Sequence, residues 1–187
     1  MKHRRTAHLT VAALAVALLG ATTGCAVHVS TVPFQPSSFV RMKGSVHVAA
    51  VRYLPAEKNL LQPNQFEFDK AATVFFDIPL ADHLRRCVVR ELEASGLVIA
   101  DSGAQLTVEI TRYRLADKFT SLELSIESTW RLTVGDREVS RPLRAARRHA
   151  AYGSRKKAED MNAMASELYE AFFADPEVKA LMAASTP

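Results

Sequence analysis

The chain has 187 residues, of which 48% are hydrophobic and 24% charged, with two cysteines, no internal repeat and no low-complexity block. Two cysteines exclude a disulfide framework. The formal charge of +4 does not argue for nucleic-acid binding: removal of Lys2, Arg4 and Arg5 with an N-terminal signal leaves 21 of 24 basic residues against 20 acidic ones, a net of +1.

Those three residues form a basic head before the apolar run "LTVAALAVALLGA", Leu9 to Ala21. That order is the one found in secretory signals, and the run falls short of the roughly 20 apolar residues a spanning helix needs. The uncharged stretch continues to Val27, which keeps a permanent N-terminal span open, but Thr22, Thr23 and Gly24 dilute it. Small residues then lead to a cysteine in "TTGC". This resembles the lipobox of bacterial lipoproteins, with cleavage between Gly24 and Cys25 and lipid attached to the Cys25 thiol. Thr22 stands where that pattern usually has Leu, and ordinary secretion is the alternative. Several acyl chains, at about 0.8 kcal/mol per buried CH₂, hold a protein durably on a membrane. With Cys25 lipidated, Cys87 has no partner within the chain, so no internal disulfide is expected.

Residues 26–43, with two prolines and no sustained period, are expected to form a flexible tether. The remainder, 44–184, is long enough for one domain with a core of its own. "SVHVAAVRY" (45–53), rich in Val, predicts a strand. "LPAEKNLLQPNQ" reads as a loop and "FEFDKAATVFFDIP" as strand material. A helix follows from Pro79, with Asp77 placed to help cap it and Gly96 to end it. Its apolar stripe is Leu80, Leu84, Cys87, Val88 and Leu92. Asp82, Arg86, Arg90 and Glu93 lie on the other side. "LVIA" (97–100) predicts a short strand.

In "QLTVEITRYRL", Leu106, Val108 and Ile110 alternate with polar residues. "SLELSIESTWRLTV" (121–134) keeps its apolar residues at even positions, broken only by Ser128, as a sheet with one wet face requires. "GDRE" predicts a hairpin. The return strand, about 138–152, contains Pro142, which suits an edge or a bulge. The last helix carries Met161, Met164, Ala165, Leu168 and Phe172 on one stripe, ends near Pro176, and "EVKALMAA" adds a turn or two. The expected fold is α+β: a two-layer sandwich of a mainly antiparallel sheet with two helices packed on one face.

Catalytic motifs are scarce. No histidine pair has metal-ligand spacing, and neither HExxH nor CxxC occurs. "SRKK" (154–157) formally matches S-x-x-K, but its companion elements are missing. His83 is expected on the surface, and Cys87, between Leu84 and Val88, as a buried packing thiol. No enzyme activity, metal or cofactor is expected beyond the covalent lipid. One segment stands out: from 137 to 157 there are eight basic residues and one acid, Glu138. Arg141, Arg144, Arg147, Arg148, Arg155, Lys156 and Lys157 form a candidate patch for an anionic lipid, peptidoglycan or an acidic envelope protein. The competing expectation is a solvated edge strand guarded by charge.

The stretches "SVHVAAVRY", "IPLADHLRRCVVRELEASGLVIADSGAQLTVEITRYRLAD" and "MNAMASELYEAFFADPEVKALM" resemble the YajG-like bacterial outer-membrane lipoproteins. The shared features are a helix ending in Gly before a short strand, an "A-x-L-x-V-x-I" run, and a terminal helix with a central Asn that closes on an "ADPEV"-like Asp. The arrangement also looks like the small lipoproteins that accompany lipopolysaccharide assembly and ABC-type lipid transport. Either resemblance implies a periplasm-facing lipoprotein without enzyme activity. By the usual sorting rule, Ala26 rather than Asp after the cysteine implies the outer membrane. The expected function is a lipid-anchored binding or scaffold module, with a role in lipid or lipopolysaccharide transport as the alternative.

Overall fold

The structure, a computed structural model, describes residues 26–37, 39–70, 72–118, 120–150 and 153–184. The signal segment, Gly24 and Cys25 lie outside the described residues. Among the described residues, eight strands and four helices make the α+β two-layer fold: β1 (Ala26–Val29), β2 (Ser45–Tyr53), α1 (Leu54–Glu57), β3 (Gln65–Phe68), β4 (Thr73–Phe76), α2 (Leu80–Ser95), β5 (Val98–Ile99), β6 (Ala104–Lys118), β7 (Ser121–Val134), β8 (Arg137–His149), α3 (Ser154–Phe173) and α4 (Pro176–Ala184).

The long strands β6, β7 and β8 form an antiparallel meander. Its turn is opened by Gly135 at φ +57, the left-handed conformation that the first central residue of such a two-residue turn requires. On its other edge β6 is shared. Its first half pairs with β2 and its end with β3, both in parallel, and the sheet then extends to β5 on one side and through β4 to β1 on the other. The meander and the β3–β4 hairpin are antiparallel as expected, while the β1–β4, β2–β5, β2–β6 and β3–β6 pairs are parallel. "FEFDKAATVFFDIP" is thus a hairpin and not one strand. Its polar middle turns at the end of β6, where Lys70 pairs with Asp117. Among the described residues β8 pairs with β7 alone, in unbroken register through Pro142, so the proline sits on an edge where its missing N–H breaks no ladder.

The meander buries its even residues as the alternation predicts: Leu124, Ile126, Trp130 and Leu132 are sealed from solvent. Ser128, the one polar member of that stripe, accepts a hydrogen bond from the Trp130 indole N–H at 3.0 Å, which satisfies a donor that burial would otherwise leave unpaired. Trp130 packs on Phe172 of α3 with ring centroids 5.5 Å apart.

Two bulges change the phase. In β6 the register shifts between Ile110 and Arg112, so the buried set passes from Leu106, Val108 and Ile110 to Tyr113 and Leu115. In β2 the shift between Val48 and Ala50 carries burial from Val46 and Val48 to Tyr53. One extra residue flips every later side chain to the other face. The flip places Arg112 and Arg114 on the wet side, where Arg112 pairs with Glu67 and Arg114 with Asp69.

α2 buries Leu80, Leu84, Cys87, Val88 and Leu92, and Gly96 ends it at φ +95 with the Leu97 amide bonded to Leu92 O, a left-handed cap. Pro79 stands at the N-cap itself, and Asp77 does not cap the helix. α3 buries the predicted stripe of Met161, Met164, Ala165, Leu168 and Phe172. α4 is held by Asp175, whose carboxylate accepts the Glu177 and Val178 amides.

Residues 26–43 depart most from expectation. In place of a flexible tether, Ala26 already begins β1, paired with Thr73, and Val29 is fully buried. Beyond β1, Val32, Phe34, Val40 and Met42 pack against the core as a strap across the helices. Docking is favoured because the apolar residues of this stretch cover core surface that would otherwise meet water.

Candidate functional site

The strap, the β4–α2 connection and the outward side of α2 enclose a cleft of about 480 Å³. Thr31, Val32, Pro33 and Phe34 form one wall, Ile78 closes an end, His83 and Cys87 line the floor, and Arg86 and Arg90 stand at the lip. The sequence supplies this geometry through helical spacing. Residues 83, 86, 87 and 90 are three or four apart, so they share one side of α2.

The strap wall is fixed by hydrogen bonds from distant elements. The Thr31 amide donates to Asp77 Oδ2 at 3.3 Å, which is what Asp77 does instead of capping α2. The Ser37 amide donates to Glu91 Oε1 at 3.0 Å. Asn162 of α3 donates from Nδ2 to Val32 O at 3.4 Å and Pro33 O at 3.3 Å. The cleft is therefore held open by the fold and needs no ligand to form it.

His83 corrects the sequence reading. It is not a surface residue but 5% exposed, with its ring edge-on to Phe76 at a centroid distance of 4.9 Å. Burial, helped by the charge of Arg86, pulls its pKa down to about 4, so the ring is neutral at neutral pH. Cys87 is buried as expected, and burial pushes its thiol up to about 12. Its Sγ lies 3.7 Å from His83 Nε2 and 3.9 Å from Asn162 Oδ1. A neutral imidazole and a protonated thiol are the opposite of an activated Cys–His pair, which needs a thiolate stabilised by positive charge. The pair serves as an uncharged floor.

The basic segment also looks different in three dimensions. Arg141 pairs with Asp175 at 2.8 Å and with Glu177. Arg144 and Arg148 meet at Glu123, at 3.3 and 2.8 Å, and Arg147 pairs with Glu167 of α3 at 2.7 Å. Arg155 pairs with Glu159, and Lys156 with Asp160 at 3.1 Å. Lys157 is 6% exposed on the buried side of α3, and desolvation lowers its pKa. The seven cations therefore form no continuous free patch. Their counter-charges arrive from β7, α3 and α4, which a count of residues 137–157 does not include. Ser154 Oγ of "SRKK" donates to His28 O at 3.1 Å and so helps hold β1.

The cleft itself was not legible in the sequence. The arginines at 86 and 90 were visible as one side of a helix, but the opposing wall comes from a strap some 50 residues earlier.

No family model and no curated protein matches the chain. Solved structures do. Protein XCC0632 from Xanthomonas campestris, described under the family model DUF330, is similar with a TM-score of 0.65 at 16% identity, covering 86% of this chain and 99% of that one. An uncharacterised protein is similar with a TM-score of 0.54 at 14% identity, covering 76% and 94%. Lipoprotein GNA1162 from Neisseria meningitidis gives a TM-score of 0.41 at 8% identity, covering 72% and 100%. The first two share the fold of this chain.

Proposed function

We propose that this chain is a bacterial lipoprotein of the YajG-like kind, anchored through lipid on Cys25 to the periplasmic side of the outer membrane, where it acts as a non-enzymatic binding or scaffold module. The basic head, short apolar run and "TTGC" support the anchor. No helix among the described residues is long and apolar enough to cross a membrane. Ala26 as the next residue supports outer-membrane sorting.

The observation that carries the reading is the start of β1. Ala26 pairs with Thr73, so an acylated Cys25 would adjoin the sheet with no spacer between lipid and domain. Such an anchor does more than raise effective concentration at a surface. It also fixes the domain's orientation, because the chain enters the fold at its first mature residues. A partner at the membrane would meet one defined side. The partners this reading implies are an envelope protein, or anionic lipid or peptidoglycan.

Palmitate labelling of cells, followed by fractionation, tests the anchor. Label is expected on the full chain and absent from Cys25→Ala, which should lose membrane association. An unlabelled parent whose processing and fractionation are unchanged by Cys25→Ala would overturn the reading.

A second reading, an accessory lipoprotein of a lipid or lipopolysaccharide transport complex, is favoured by the arginine-lipped cleft. Crosslinking in intact cells tests it: recovery of a transport membrane protein supports it, and recovery of unrelated envelope proteins alone counts against it.

A further inference from the structure

The lip of the cleft carries two exposed arginines, Arg86 and Arg90, one helical turn apart on α2. On the wet face of the sheet Arg52, Arg112, Arg114, Arg131 and Arg144 each meet a carboxylate. Arg86, like Arg85 and Arg137, meets no carboxylate among the described residues, and Arg90 has only Glu93 at 3.5 Å on its own helix. Like charges four residues apart on a helix oppose its stability. Within this fold, a pair left nearly unneutralised beside a cleft has the charge complementary to an anion.

The cleft interior has a different character. Val32, Pro33, Phe34 and Ile78 present hydrocarbon, with Val32, Phe34 and Ile78 themselves backed by the core. The floor is an uncharged imidazole and thiol, because burial disfavours the charged forms of both His83 and Cys87. A volume of about 480 Å³ lies within the usual range for small-ligand sites, roughly 300–1,000 Å³. The clamps from Asp77 and Asn162 hold the strap wall in place, so little ordering opposes binding.

We infer that this cleft binds an amphipathic anion, with its acidic head between Arg86 and Arg90 and its apolar body against Val32, Phe34 and Ile78. The shared chemistry is one anionic head on a hydrocarbon body; a fatty carboxylate and a phosphate-headed single-chain lipid are its two sources. Guanidinium forks suit either head, since both present paired oxygens. The site is independent of the anchor, because nothing in the cleft depends on lipid at Cys25.

The test uses the full-length protein extracted in a non-ionic detergent and exposed to diazirine-bearing dodecanoate, dodecyl phosphate and dodecanol, with label mapped by peptide mass spectrometry. Label from at least one anionic probe is expected on residues 31–34 and 78–90, with dodecanol labelling about tenfold lower. Preference for dodecanoate assigns the fatty-carboxylate source, and preference for dodecyl phosphate the phosphate-headed one. The double variant Arg86→Gln, Arg90→Gln should reduce anionic labelling to the dodecanol level, and Arg86→Lys, Arg90→Lys should retain a measurable part. Thr31→Trp, which fills the cleft from an exposed position without changing charge, should block all three probes. Equal labelling by the three probes, label mapping elsewhere, or labelling indifferent to both the Gln and Trp variants would overturn the inference.

Discussion

Asn162, at the centre of α3, donates its side-chain amide to the carbonyl of Val32, 130 residues earlier, and to the neighbouring Pro33 carbonyl. A polar residue in a helix that buries eleven others thus has a defined structural role, fastening the strap that walls the cleft. The contacts are long, so each contributes modestly. Asn162→Ala is expected to cost about 1 kcal/mol in urea unfolding. It should also speed proteolysis within residues 30–43, while leaving far-UV circular dichroism unchanged. Unaltered protection of the strap would disprove the clamp.

Asp175 closes the other end of the same helical layer. It caps α4 through the amides of Glu177 and Val178, and it accepts from Arg141 Nε at 2.8 Å, joining α4 to the edge strand β8. Loss of a cap costs about 0.5–2 kcal/mol. Asp175→Ala should fall in that range and Asp175→Asn should cost less, since the amide oxygen can still accept. Arg141 holds the carboxyl below its ordinary range. Its contribution is therefore present above the unfolded pKa and lost as pH falls through the folded one, so the gap between parent and Asp175→Ala should narrow in acid.

Tyr113 is 1% exposed beneath the bulge of β6, and its hydroxyl has no hydrogen-bond partner among the described residues. Its ring packs edge-on to Phe66 at 5.4 Å. Leaving a buried hydroxyl unpaired costs roughly 1–3 kcal/mol, whereas deleting it keeps the ring contacts. Tyr113→Phe is expected to raise the thermal midpoint or leave it unchanged. A clear fall would point to a partner for the hydroxyl.

His83 gives the fold an acid sensitivity of its own. Its folded pKa, about 4, lies below the ordinary 6.5, because burial and then Arg86 disfavour the imidazolium. The stabilisation is complete above pH 6.5 and declines between there and pH 4, by up to about 3 kcal/mol. His83→Phe should flatten that part of the stability profile relative to the parent. The His83 ring resonances should titrate near pH 4; titration near 6.5 would refute the burial argument.

Cys87 should behave as an inert thiol. With its pKa pushed up to about 12, it is expected to resist an aromatic disulfide reagent at pH 8 in the native state and react at once in urea. Rapid native labelling would mean that the cleft floor opens to solvent.

Several of these features were readable before any fold was known. The even-position stripe of β7, the buried stripes of α2 and α3, the Gly96 stop and the edge role of Pro142 follow from spacing and backbone chemistry, because burial repeats with the period of the element that carries it. Even the break at Ser128 has a local cause, the indole two residues away. The central Asn and terminal Asp that mark the YajG-like resemblance were visible as residues, but what they hold, the strap and α4, was not.

What the tertiary structure decided is which distant groups meet. Thr111 and Arg112 carry no sign of the bulge that turns Tyr113 inward; pairing with β7 creates it. The strap reads as a tether because its apolar residues follow no period, and they become fixed only against surface built by helices far along the chain. Arg144 and Arg148 read as free charge until β7 sets Glu127 opposite Arg144 and Glu123 opposite Arg148. Periodicity is a property of neighbours along the chain, whereas neutralisation, docking and the walls of a cleft depend on neighbours in space.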